Sequence, residues 1–276
     1  MRDDSSRRPT HTAAELFPTP HNIDIVIDIT DGTSRMTIRF FSSTEAYGSH
    51  PVRLSNPTDI FMPMRPVILG SRSPRRQELL KLLVPAGQIV IKPPRSAIEA
   101  GFDKLTQHGE IMGRLREIIQ AKQRDVDEQL SPEEKANGIA LVADTIIVVT
   151  NPNGTLAVLG QPPEHDWQAT VGEWFVRYYS GQAHQAWTGL CLWDAAGVSI
   201  ETIVTTTVVF RDITPADLDW YLGTEESVGK AGGYALQGLA SVFVRRVEGS
   251  LTNVVGLPLE FLRRALPGGG YKSFFR

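Results

Sequence analysis

The 276-residue chain is 41% hydrophobic and 21% charged with a formal net charge of -3 at pH 7, the composition of a soluble globular protein without the basic surplus that non-specific nucleic-acid binding needs. Any phosphate recognition therefore has to be local, which suits a small nucleotide better than a polymer. A single cysteine excludes a disulfide framework within the chain, no run of about 18 apolar residues offers a membrane span, and the acid-bearing first residues lead into no apolar signal segment, so a cytoplasmic protein without membrane partners is expected.

Residues 1–21, rich in Pro, Thr, Arg and Asp, are expected to form a disordered tail. Residues 22–30 and 35–41 alternate apolar and polar side chains around Asp31-Gly32, the pattern of a β-hairpin, and a Pro- and Ser-bearing connector runs on to residue 63. This N-terminal extension, residues 22–63, is a candidate for homodimerisation or docking, with a passive appendage as the alternative. From residue 64 to 270 one domain is expected. Apolar runs at residues 66–69, 88–91, 139–149, 187–193, 200–210 and 241–247 alternate with helical patterns at 74–83, 109–128, 164–179, 215–222 and 257–266. Such alternation predicts an α/β fold with a mixed sheet.

The first strand runs into Gly70-Ser71-Arg72-Ser73-Pro74-Arg75-Arg76. Ser73 suits an N-cap and Pro74 the first helical position, with Leu79, Leu80, Leu82 and Leu83 expected on one apolar face. Unpaired backbone N–H groups, two hydroxyls and three guanidiniums then meet at one helix start, a natural phosphate site. An ordinary solvated helix start remains the alternative, because arginines in a first turn oppose the helix dipole. In the long helix at 109–128, Arg114, Lys122 and Arg124 read as a solvated face, although Lys122 could turn inward.

Asp144 interrupts the apolar run at 139–149, at or near the end of a buried strand. A carboxylate there needs a metal, hydrogen bonds or a role as a base, unless it caps a turn. Cys191, between Leu190 and Leu192, reads as core rather than nucleophile. The glycine-rich stretch from Val228 to Gly238 matches neither dinucleotide-binding nor P-loop spacing. Lys230 could meet phosphate there and Gln237 a base edge, or the stretch could be a plain flexible loop. Gly249-Ser250-Leu251-Thr252-Asn253 reads as a further hydroxyl- and amide-bearing turn. The six histidines lack zinc-ligand spacing and no G-x-S-x-G elbow occurs, which leaves acid/base or metal-assisted attack on phosphate open.

Five segments taken in order resemble the Maf family of nucleoside triphosphate pyrophosphatases. They are Ser71-Arg72-Ser73-Pro74-Arg75-Arg76-Gln77-Glu78-Leu79-Leu80, Ala143-Asp144-Thr145, Leu159-Gly160-Gln161-Pro162, the stretch from Lys230 to Gly238, and the stretch from Gly249 to Pro258. The resemblance implies a fold of the inosine-triphosphate-pyrophosphatase type: a mixed, elongated, twisted sheet with flanking helices and a central cleft. It also implies hydrolysis of a nucleoside triphosphate to the monophosphate and pyrophosphate, assisted by a divalent cation, Mg²⁺ or Mn²⁺. On that resemblance Asp144 is the proton acceptor and a metal-side carboxylate, with Glu99 as a second candidate metal ligand. Ser71, Ser73, Arg76 and Lys230 would hold the triphosphate, and Lys122 is a further phosphate candidate. Arg75, Thr145 and Gln237 occupy the positions that track base preference, in the set similar to dTTP and UTP pyrophosphatases; members acting on 7-methyl-GTP have an aromatic residue at the first of them. Two departures remove family cations, Gln161 in the Leu-Gly-Lys-Pro segment and Gln182 in Ser-Gly-Arg-Thr-His. They imply weakened triphosphate binding or altered substrate choice, so a weakly active or inactive nucleotide-binding regulator, or a pyrophosphatase for another base such as 7-methyl-GTP, are the alternatives.

Overall fold

A computed structural model describes residues 65–95, 101–197 and 199–266; the expected tail, hairpin and connector at 1–63, and Glu99, lie outside the described residues. The chain runs β1 (Val67–Gly70), α1 (Pro74–Lys81), β2 (Ile89–Ile91), α2 (His108–Gln129), α3 (Pro132–Asn137), β3 (Ile139–Thr150), β4 (Leu156–Leu159) and α4 (Trp167–Trp174). It continues through β5 (Ala183–Asp194), β6 (Ser199–Phe210), α5 (Pro215–Gly223), β7 (Val244–Glu248), α6 (Leu251–Val255) and α7 (Leu259–Ala265). One seven-stranded sheet has the order β2-β1-β3-β5-β6-β7, with β4 also paired to β3. β1 is parallel to β2 and β3 while the remaining pairs are antiparallel, so the expected mixed α/β sheet with flanking helices is what forms.

β3 organises the molecule. β5 lines one edge of it from Ile139 to Val148, and the other edge is divided between β1, opposite Ile139 to Val142, and β4, opposite Ile147 to Thr150. Residues 143–146 therefore face a notch in the sheet where neither strand reaches. Alternation along the strand places Ile139, Leu141 and Ala143 in a cluster with α1 and α7, and Ile147 and Val149 in an aromatic-rich cluster with Phe175, Tyr179 and Phe210. Ala140, Val142, Ile146 and Val148 pack on the opposite face, beneath α2. Asp144 follows this even-numbered face and Thr145 the odd-numbered one, so the notch opens between two side chains of opposite direction. Asp144 thus lies mid-strand rather than at a strand end, and the missing edge partner explains how an acid is accommodated there.

Several boundaries differ from the sequence expectation. α1 ends at Lys81 and leaves Leu82 72% exposed, so the buried set is Leu79, Leu80 and Val84 instead of one including Leu82. The nearby Pro85 disfavours helix in the residue before it and stops the helix. Each of Leu79 and Leu80 contributes about 2 kcal/mol by burial. The helix expected from residue 164 starts at Trp167 and finishes as a wide π turn, Phe175–Tyr179, with Ser180 N–H bonded to the Phe175 carbonyl. The strand expected at 241–247 begins only at Val244, after a 3-10 turn, Leu239–Phe243. β4 and α3 were not expected, although Asn153-Gly154 and the Ser131-Pro132…Glu134 capping box are readable signals for them.

Cys191 is fully buried and its thiol is pushed up to about 11 by burial, which fits the core reading. His184 sits in the aromatic cluster at 2% exposure, its Nε2 2.8 Å from the Tyr234 hydroxyl, and burial holds its pKa at about 3. The imidazole thus stays neutral in the fold while an unfolded imidazole binds a proton near pH 6.5, so stability is full above pH 6.5 and falls on acidification towards pH 3. The slope reaches about 1.4 kcal/mol per pH unit. Thermal melts between pH 7 and pH 5 are expected to show this slope in the wild type and to lose it in His184→Gln; equal slopes would show that another group sets the acid limb.

Candidate active site

The start of α1 is built by hydroxyls. Ser73 Oγ accepts the Arg76 N–H at 3.4 Å, and the buried Ser71 Oγ accepts the Ser73 N–H at 3.1 Å and Arg76 Nη1 at 3.4 Å. Arg76 spreads its guanidinium across three elements: Nε donates to the Gly256 carbonyl at 2.9 Å and Nη2 to Thr145 Oγ1 at 3.2 Å. Gly256 has φ +123°, a conformation that L side chains rarely adopt, and it turns its carbonyl to the arginine at the end of α6.

Thr145 Oγ1 lies 2.8 Å from Thr188 Oγ1, and Thr188 donates at 3.2 Å to the carbonyl of the fully buried Asn253. Thr145 Oγ1 accepts from Arg76 and shares one hydrogen with Thr188, its own hydrogen having Thr188 and, at 3.5 Å, the Gly256 carbonyl as acceptors. Asn253 Nδ2 is anchored in turn on the Ala186 and Val204 carbonyls and on Thr206 Oγ1. Thr188 joins the site with no motif to mark it beyond a hydroxyl within the apolar strand at 187–193.

On the other side of the notch Lys122 turns inward from α2 and pairs with Asp144, Nζ to Oδ1 2.6 Å, both side chains about 15% exposed (14% and 15%). The solvated-face reading fails for Lys122, and the helix period shows why. Lys122 is four residues after Ile118 and four before Val126, on the stripe that buries Ile111, Leu115, Ile118, Ile119 and Val126. Arg124 is exposed, as expected.

Two adjoining pockets, of about 200 and 450 Å³, share Ser73, Arg75, Arg76, Asp144, Gln161 and Gly229 in their walls. The larger is lined by the cations Arg72, Arg75, Arg76 and Lys122 against a single carboxylate, Asp144. The smaller is lined by Ile147, Leu236, Val254 and Val255 together with Tyr234, Thr145 and Gln237. A cation-rich chamber thus opens into a chamber with an apolar wall and an amide, with the Asp144 carboxylate at the junction. Arg75 is exposed and makes no side-chain hydrogen bond or ion pair among the described residues, so its guanidinium is available to a ligand.

Ser71, Ser73, Arg75, Arg76, Lys122, Asp144, Thr145 and Gln237 are therefore brought to one cleft. Lys230 is not: its ammonium donates to the Glu226 carbonyl, and burial lowers its pKa, with the nearby Arg75 acting in the same direction. Its neighbours Gly229 and Ala231 line the cleft instead. Gln161 lines both pockets. Gln182 does not; its exposed amide donates to the Arg177 carbonyl at 3.0 Å. No cluster of three His, Cys, Asp or Glu occurs among the described residues. A lone carboxylate beside a phosphate-sized chamber is nevertheless the donor set that Mg²⁺ accepts when substrate oxygens complete its shell.

The family model described as Maf-like protein matches residues 66–268. A dTTP/UTP pyrophosphatase of Brucella abortus (strain 2308) is 38% identical over 210 residues, covering 75% of this chain and 93% of its own. A dTTP/UTP pyrophosphatase of Anaeromyxobacter sp. (strain Fw109-5) is 36% identical over 208 residues, covering 72% of this chain and 89% of its own. The one of Deinococcus radiodurans is 33% identical over 208 residues, covering 75% and 95%.

Proposed function

The chain belongs to the Maf-like protein family, and from that premise we propose that it is a nucleoside triphosphate pyrophosphatase, a hydrolase of acid anhydrides, acting on dTTP- and UTP-type nucleotides. The observation that carries this reading is the place of Asp144, shared by a cation-lined chamber and a smaller one with an aliphatic wall and an amide. A triphosphate fits the first by charge, a base and sugar fit the second, and the α-phosphorus then comes to the carboxylate.

In this reading Asp144 takes a proton from the water that attacks the α-phosphorus, the bond to the bridging oxygen of the β-phosphate breaks, and pyrophosphate leaves. The inward-turned Lys122 offsets phosphate charge and Arg75, in the walls of both chambers, stands at a position that tracks base preference, while Arg76, fixed by Ser71, Thr145 and Gly256, presents a preorganised guanidinium plane. Mg²⁺ or Mn²⁺, held by Asp144 and substrate oxygens, would supply further charge neutralisation at the phosphates. A 7-methyl-GTP site is disfavoured because, among the described residues, Tyr234 is the only aromatic one in the smaller chamber's wall, and it is 6% exposed with its hydroxyl on His184.

Incubation with a panel of nucleoside triphosphates and Mg²⁺ or Mn²⁺ tests the reading: pyrophosphate released from UTP and dTTP ahead of the purine nucleotides supports it, and none from any nucleotide rejects it. A binding regulator without turnover is the second reading, favoured by the neutral Gln161 at the shared wall. Gln161→Lys is expected to raise kcat/KM about tenfold by adding one charge-assisted contact to phosphate. An unchanged value would show that the cleft does not lack that cation.

A further inference from the structure

The glycine-rich segment is closed at its root by one carboxylate. Glu226 Oε2 accepts the Leu239 N–H at 2.6 Å and Oε1 the Ala240 N–H at 3.2 Å, so the two ends of the loop meet on a single side chain. The Glu226 carbonyl also receives the Lys230 ammonium. Gly238 lies against the same carboxylate so tightly that a Cβ there would collide with it. Tyr221 Oη is 3.1 Å from the Gly233 carbonyl and 3.3 Å from Glu226 Oε1, so its proton is shared between loop and clasp. Tyr179 donates to the Gly232 carbonyl at 2.8 Å, and Gly232 N–H donates to the Gly160 carbonyl beside Gln161. Yet Gln237, one residue before Gly238, lines the cleft, is exposed, and makes no side-chain hydrogen bond among the described residues. Its place in the cleft is therefore set by its backbone alone.

We infer that Glu226 is a positioning residue for base selection, holding the loop so that Gln237 stands at one fixed depth in the smaller chamber. The inference rests on the reading of this cleft as a nucleotide site. Depth is what matters chemically, because uracil N3–H/O4 and guanine N1–H/O6 offer an amide the same donor and acceptor order and differ in how far that edge lies from the sugar. A clasped loop accepts the smaller ring and excludes the larger; a released loop withdraws and loses the distinction.

The test measures the UTP-to-GTP ratio of kcat/KM in the full chain for the wild type, Glu226→Gln, Gln237→Ala and the double variant. The glutamine keeps one acceptor but aims an NH₂ at the second N–H. Each single change is expected to lower the ratio about tenfold, and the double no further than either alone. Gly238→Ala, which displaces the carboxylate without altering it, is expected to reproduce Glu226→Gln and serves if the latter does not fold. A wild type without UTP preference, a Glu226→Gln ratio equal to the wild type, or a double variant whose loss is the product of the singles overturns the inference. If the wild type releases no pyrophosphate, the functional reading fails on its own. UTP and GTP affinities in an Asp144→Asn background then read the loop separately, with the same outcomes.

Discussion

Asp144→Asn is expected to lower kcat by about 10³-fold or more while the fold survives, because a positioned general base is worth about 10²–10⁴ in rate. The change is isosteric and falls in the β3 notch, where no edge strand packs against the residue. Its structural effect is confined to Lys122, which loses the carboxylate at 2.6 Å but keeps 14% of its side chain in contact with water. Loss of that hydrogen-bonded charge pair is expected to cost about 1–3 kcal/mol. For a domain of this size that lowers the melting temperature by about 2–4 °C per kcal/mol. Turnover is measured beside the thermal midpoint. A folded variant with activity near the wild type would remove Asp144 from the role of base.

Arg76→Lys is expected to be nearly as damaging, for a different reason. The guanidinium satisfies the Gly256 carbonyl, Ser71 Oγ and Thr145 Oγ1 at once, joining α1, β3 and the end of α6. A lysine ammonium keeps the charge but not the fork, and cannot span those acceptors from one point. Two consequences follow: the Gly256 carbonyl and the Thr145–Thr188–Asn253 chain lose their donor, and the phosphate chamber loses a fixed plane of N–H groups. A loss of about 10²-fold in kcat/KM is expected, comparable to removing one preorganised donor for a developing anion. Arg75→Lys should be much milder, since no described hydrogen bond depends on the Arg75 fork. Equal losses in the two variants would contradict the assignment of Arg76 as the anchored member of the pair.

The helix start at Ser73-Pro74 was legible because capping is local chemistry, settled within four residues. The same holds for β3 and β5, whose near-continuous apolar runs reflect burial on both faces. What could not be read was any property set by a distant partner. The notch exists because β1 stops at Gly70 and β4 begins its pairing at Ile147, a consequence of register rather than of the residues around Asp144. Lys122 looked like one of three helix cations, and only its place on the Ile118 and Val126 stripe marked it as inward. The carbonyls that take the Lys230 and Gln182 donors, those of Glu226 and Arg177, were equally out of reach of the sequence, because a side chain's sequence neighbourhood does not name its acceptor. Glu226 itself had no motif to announce it, because its partners are backbone N–H groups.

In the proposed reaction water attacks the α-phosphorus of a nucleoside triphosphate held across the two chambers. Hydrolysis of UTP in ¹⁸O-labelled water, followed by mass spectrometry of both products, reads the bond that breaks. The label in the monophosphate with unlabelled pyrophosphate is the result expected, whereas label in pyrophosphate, or release of orthophosphate in its place, would contradict it.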